Sequence, residues 1–203
     1  MTRSRTPKFN RETAPAYTAV GSRSTPDHVL ELMEKIARDL YDIGYTLRSG
    51  GADGADQAFG RGARERAHIY LPWTDFGHVE PGALSVALGS QIEPELSRIA
   101  ATIHPNWANL TVGPRKLHAR NVRQLLGTTL RRPSQFLICW TPDARPVGGT
   151  ATALKLADQL RVPVYNLAWR DLYEAFRDQH IGDVISFPDD HVMPATLTSE
   201  LPF

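Results

Sequence analysis

Cysteine is almost absent: Cys139 is the only one in 203 residues. A single thiol excludes an intramolecular disulfide and any zinc site built from cysteines. A reducing, cytoplasmic setting is expected, with Cys139 an inert buried thiol because its sequence neighbours are apolar. No run approaches the ~20 apolar residues of a membrane span, and no apolar stretch follows the basic N-terminus as in a signal peptide. Neither export nor a membrane partner is expected. A charge excess is missing too. Lys and Arg number 23 against 22 Asp and Glu, a formal +1, so the bulk basic field of non-specific DNA binders is excluded and nucleic-acid contact is left to a local patch. GxxxxGK[ST] does not occur and the glycine spacing does not give GxGxxG, which excludes a P-loop and the dinucleotide fingerprint. His78, His104 and His118 have no metal-ligand spacing, and no metal or cofactor is expected.

Hydrophobic residues make up 41% and charged residues 22% of the chain, enough to fill one core. Residues 1–15, with Arg3, Arg5, Lys8 and Arg11, are expected to be a flexible basic tail, and 16–203 a single domain. Tyr17 to Val20 reads as a strand. Thr25 as N-cap and Pro26 at the first helical position open a helix whose apolar residues run from Val29 to Tyr41, and Gly44 closes it. Strands follow at Tyr45–Arg48 and Ala67–Leu71, with a glycine-rich turn and a helix between them. Trp73 to Gly89 reads as a lid or binding loop. Helices are expected over Glu93–Ile103 and Arg115–Leu126. Phe136–Trp140 is apolar throughout and is expected to be a central strand. A helix around Ala153–Leu160, a strand at Val162–Asn166, a helix at Leu172–Gln179 and an irregular tail complete the chain. Alternating strands and helices predict an α/β, Rossmann-like, mostly parallel sheet with helices on both faces and ligands beyond the strands' carboxyl ends.

Three turns open at that edge: Gly21-Ser22-Arg23, then Ser49 to Asp56, then Thr141 to Thr152. Gly50, Gly51 and Gly54 let the backbone approach an anion, and the following helix offers unpaired amides. Gly148-Gly149-Thr150 repeats the arrangement, with Arg23, Arg115, Lys116 and Arg120 as counter-charges. The bland alternative is that both glycine turns only join strand to helix.

The order Ala19-Val20-Gly21-Ser22-Arg23, Ser49 to Asp56 with Ala58-Phe59 and Gly62-Ala63, Arg120-Asn121, and Gly149-Thr150 before an Ala-rich helix resembles the SLOG superfamily. The similarity is greatest to its DprA/Smf branch and covers Tyr17 to Asn166. The resemblance implies a Rossmann-like domain binding a nucleotide or nucleotide-derived ligand at these loops, single-stranded DNA in the DprA branch, and a homo-oligomer. SLOG members that cleave the N-glycosidic bond of nucleoside monophosphates place an acidic residue after the Gly-Gly-x-Gly-Thr turn. Here Thr150 leads into Ala151-Thr152-Ala153-Leu154-Lys155, which argues for binding over hydrolysis. The rival enzyme would be a phosphoribohydrolase-like N-glycosidase in which Asp56, the candidate catalytic residue, or Glu80 orients a water. Asp53 reads as a helix cap, Asp56 as either a cap or a ligand contact, and Trp73, Trp107 and Trp140 as packing residues before base-stacking ones.

Overall fold

The computed structural model describes residues 14–187. Nearly all of the basic tail and the end of the irregular tail lie outside the described residues. β1 (Ala16–Gly21) is buried through Val20. α1 (Asp27–Asp42) buries Val29, Leu32, Met33, Ile36, Ala37 and Leu40, the i, i+3, i+4 stripe of a helix laid on a sheet. It begins one residue later than expected. Thr25 does not cap it, because its hydroxyl donates to the Ser22 carbonyl at 2.7 Å and so tightens the preceding turn.

β2 (Thr46–Ser49), α2 (Ala55–Ala63) and β3 (Ala67–Leu71) follow. The stretch read as an unbroken loop contains a further strand, β4 (Leu84–Ala87), parallel to β3 with His68 opposite Leu84. Its residues are half or fully exposed at the sheet's edge, so it lacks the apolar pattern that reveals a buried strand. α3 (Pro94–Ile103) and α4 (Val112–Leu126) come next. α4 starts three residues before Arg115 because Pro114 falls in its first turn, where a missing N–H removes no helical bond.

β5 (Leu137–Trp140) leads through a short 3₁₀ turn at Gly148–Thr150 into α5 (Ala151–Gln159). β6 (Val164–Asn166), α6 (Arg170–Asp178) and a four-residue α7 (Ile181–Val184), within the expected irregular tail, end the described chain. No described helix is long and apolar enough to cross a membrane.

The six strands are parallel in the order β4-β3-β2-β1-β5-β6. β5 is interior, while β1 and β2 take the middle of the sheet. Tyr17, Met33, Ile36, Phe59 and Phe136 join α1 and α2 to one face; Ile99, Val122, Leu125, Leu137 and Leu156 join α3, α4 and α5 to the other. Each such fully buried side chain contributes about 1.5–3 kcal/mol relative to an exposed one. From β1 the chain order runs to β2 on one side and to β5 on the other. Between β1 and β5, therefore, lies the topological switch point, where α/β sheets open a crevice.

Candidate functional site

Gly21 pairs with Trp140, which brings the carboxyl ends of β1 and β5 level. Beyond them lies a cavity of about 370 Å³. Gly21, Ser22, Arg23, Asp56, Arg120 and Asn121 line it, as do Gly148, Gly149 and Thr150. Val20, Leu117 and Val147 add apolar wall that was not among the expected ligand contacts.

Ser49, Gly50, Gly51, Gly54 and Arg115 are not among the lining residues. Ser49 is fully buried and its hydroxyl donates to the Ala19 carbonyl at 2.7 Å, tying β2 to β1. A Cβ at Gly50 would collide with Arg120 and Gln124. Gly51 has φ +68°, abuts Ile69 and Leu71, and accepts the His78 N–H at 3.0 Å. Gly54 has φ +80° and abuts the backbone of Ser22 and Arg23. Packing and left-handed backbone thus account for these glycines. Arg115 donates to the Trp107 carbonyl at 3.2 Å and the Ala108 carbonyl at 2.8 Å.

Asp56 draws the glycine-rich turn together from within. Its Oδ2 accepts the Ala52 N–H at 3.2 Å and lies 3.9 Å from Arg120 Nη1. Burial pushes its carboxyl up from the ordinary range, while Arg120 and the amides of Ala52, Gly50 and Gly21 pull it down. Those amides belong to two of the three turns, and among them Ala52 makes the hydrogen bond to the carboxylate. Arg120 in turn donates to the Gly50 carbonyl and lies beneath the Phe76 ring, 4.9 Å from its centre. Burial pulls its guanidinium down, Asp56 pushes it up and Arg23 pulls it down.

Across the cavity, Gly148–Thr150 runs directly into α5. The first amides of a helix have no intrahelical partner and carry partial positive charge. α4 braces this turn twice: Asn121 Nδ2 donates to the Gly149 carbonyl at 2.5 Å, and His118 Nδ1 lies 2.6 Å from Thr152 Oγ1. A Cβ at Gly148 or Gly149 would meet no atom within 4 Å. Gly148 has φ +61° and so shares the left-handed backbone of Gly51 and Gly54, whereas Gly149 is required neither by its backbone nor by neighbouring atoms.

Arg23 is exposed and forms no ion pair among the described residues. With Arg120 it sets two guanidiniums against Asp56, the one carboxylate among the lining residues. The balance favours an anion. Glu80 does not line the cavity. It lies 3.5 Å from His78, beside a separate recess on the other side of the Gly51 turn. Asp53 does not cap α2: it accepts the Gln57 amide at 2.8 Å, and the N-cap is Gly54. Trp140 packs half-buried against the core on the α1 and α2 face, and burial pushes the fully buried Cys139 thiol up to about 12. No group of three or more metal-ligating side chains occurs among the described residues.

No protein-family model matches the chain, and no curated protein matches it. Solved structures do. DNA processing protein A from Helicobacter pylori, described for its single-stranded DNA binding mode, superposes with TM-score 0.53 at 18% identity, covering 77% of this chain and 66% of that one. This chain therefore spans just under two thirds of that protein's resolved length. The molybdenum cofactor carrier protein from Chlamydomonas reinhardtii has TM-score 0.48 at 17% identity, over 75% of each chain. The first likeness shows the fold: the Rossmann-like arrangement expected from the SLOG resemblance is shared with a DprA protein.

Proposed function

We propose that this chain binds a phosphate-bearing ligand, a nucleotide or one nucleotide of a nucleic-acid strand, in the crevice between β1 and β5. The observation that carries this reading is the cavity of about 370 Å³ at the switch point, with Arg23 and Arg120 on one side and the α5 N-terminus on the other. Its volume falls in the range of small-molecule sites, roughly 300–1,000 Å³. The ligand's phosphate lies against the Gly148–Thr150 turn and Arg23, and its less polar parts lie along Val20, Leu117 and Val147. The DprA-like fold supports a nucleotide or single-stranded DNA as the class of ligand.

A second reading, nucleotide N-glycoside hydrolysis, draws on the buried carboxyl of Asp56 facing the cavity. That carboxylate already accepts backbone amides and neighbours Arg120, which leaves it poorly placed to orient a water. Binding is the favoured reading.

Calorimetric titration with nucleoside mono- and diphosphates, cyclic nucleotides and short oligonucleotides tests it. Saturable binding is expected, weakened at least about tenfold by Arg23→Ala, equivalent to roughly 1.4 kcal/mol. A strand and a single nucleotide separate by salt dependence, since log K for a single strand falls with log salt by about 0.7 per phosphate contacted. An absence of binding across the panel, or affinity indifferent to Arg23→Ala, contradicts the proposal. Release of free base would favour the hydrolase.

A further inference from the structure

Two side chains of α4 crowd the backbone of Gly50, and only one of them is used. Arg120 donates to the Gly50 carbonyl through Nη1. Gln124, one helical turn further on, brings Nε2 against the same residue: a Cβ at Gly50 would collide with both groups. Gln124 is fully buried, yet neither its Nε2 nor its Oε1 has a hydrogen-bond partner among the described residues, and Arg120 Nε is likewise unmet. Burying an amide without partners is costly, and apolar side chains of the same size avoid that cost. Packing alone does not explain a glutamine here.

We propose that Gln124 is a positioning residue for anion binding, a stand-in donor that takes over the Gly50 carbonyl when Arg120 turns its guanidinium toward a phosphate in the cavity. The inference rests on the binding reading above. Arg120 already lines the cavity and lies 3.9 Å from Asp56, so the movement needed is a side-chain reorientation with no shift of α4. Without a substitute donor, that reorientation would leave the Gly50 carbonyl buried and unpaired, a penalty charged against binding. Gln124 Nε2 packs against the Cα of the same glycine, so that when it turns to the carbonyl one N–H···O=C bond replaces another. Arg120 is then a latent ligand, and Gln124 the group that lets it act.

The hand-off separates stability from affinity, which a purely structural glutamine would not do. Gln124→Met removes the unmet amide at similar volume, so its thermal midpoint should equal or exceed that of the wild type. Its affinity for inorganic phosphate and for nucleoside monophosphates should fall at least about fivefold. In wild-type protein, the Arg120 Nε–Hε NMR resonance should move during phosphate titration. Should Gln124→Met not fold, Gln124→Leu serves in its place: it also lacks a donor for the Gly50 carbonyl and adds no charge beside Arg120, so phosphate affinity should fall. Equal affinity in variant and wild type, or an Arg120 resonance that stays fixed as phosphate binds, overturns the hand-off alone. Wild-type protein that binds neither probe overturns the binding reading, and the hand-off with it.

Discussion

His118 shows how a side chain away from the cavity wall bears on the site. Its Nδ1 lies 2.6 Å from Thr152 in the first turn of α5, and its ring centre is 4.4 Å from that of His104. Burial, then His104, then Arg120 push its pKa down to about 4. The folded state thus disfavours the imidazolium, whereas the unfolded chain binds that proton near pH 6.5. Stability from this group is fully present above about pH 6.5 and is lost as pH falls toward 4. The residue is half-buried, so solvent screening keeps the effect to about 1–2 kcal/mol. His118→Gln should therefore flatten the rise in thermal midpoint between pH 4.5 and 7; an unchanged slope would contradict this account of the pair. At the same scale, the glycines of Ser49 to Asp56 were legible as a turn but not in their purpose. A glycine required by left-handed backbone, as at Gly51, or by close packing, as at Gly50, is indistinguishable in sequence from one that admits a phosphate. Gly149, with no atom within 4 Å of an added Cβ, differs only in three dimensions.

Among the elements, α4 does most to shape the site. It carries Arg120 to the Gly50 carbonyl, Asn121 to the Gly149 carbonyl and Leu117 to the cavity wall. Asn121→Ala should leave the Gly149 carbonyl without its brace and loosen the first turn of α5. Hydrogen exchange should then show amides at residues 149–153 exchanging about five- to tenfold faster, consistent with loss of a hydrogen bond worth about 1 kcal/mol, with the β1 and β5 amides unchanged. Uniform acceleration across the sheet would instead mark Asn121 as part of the global fold. Long periodic elements such as α1 and α4 were legible because their apolar stripes span several turns. β4 and α7 were not. Each has four residues and an incompletely buried surface, so neither leaves a period to detect, and tertiary pairing with β3 makes Leu84–Ala87 a strand.

At the scale of the whole molecule, the order β4-β3-β2-β1-β5-β6 turns three separate loops into one site. β1 lies next to β2 and β5 although β5 follows it by more than a hundred residues. Alternating strands and helices made the sheet and its carboxyl edge readable from sequence. The separation of the lining turns from the packed ones was not, because it depends on which side of the Gly50–Ala52 backbone each residue faces. In the proposed binding mode the crevice between β1 and β5 takes an anionic ligand on the first turn of α5. Gly149→Val is the decisive variant, since Gly149 lines the cavity and the added side chain meets no neighbour near its Cβ. Calorimetry against the nucleotide and oligonucleotide panel should show wild-type binding weakened at least about thirtyfold in a variant whose thermal midpoint is within a few degrees of the wild type. Wild-type affinity in a folded Gly149→Val protein would contradict the claim.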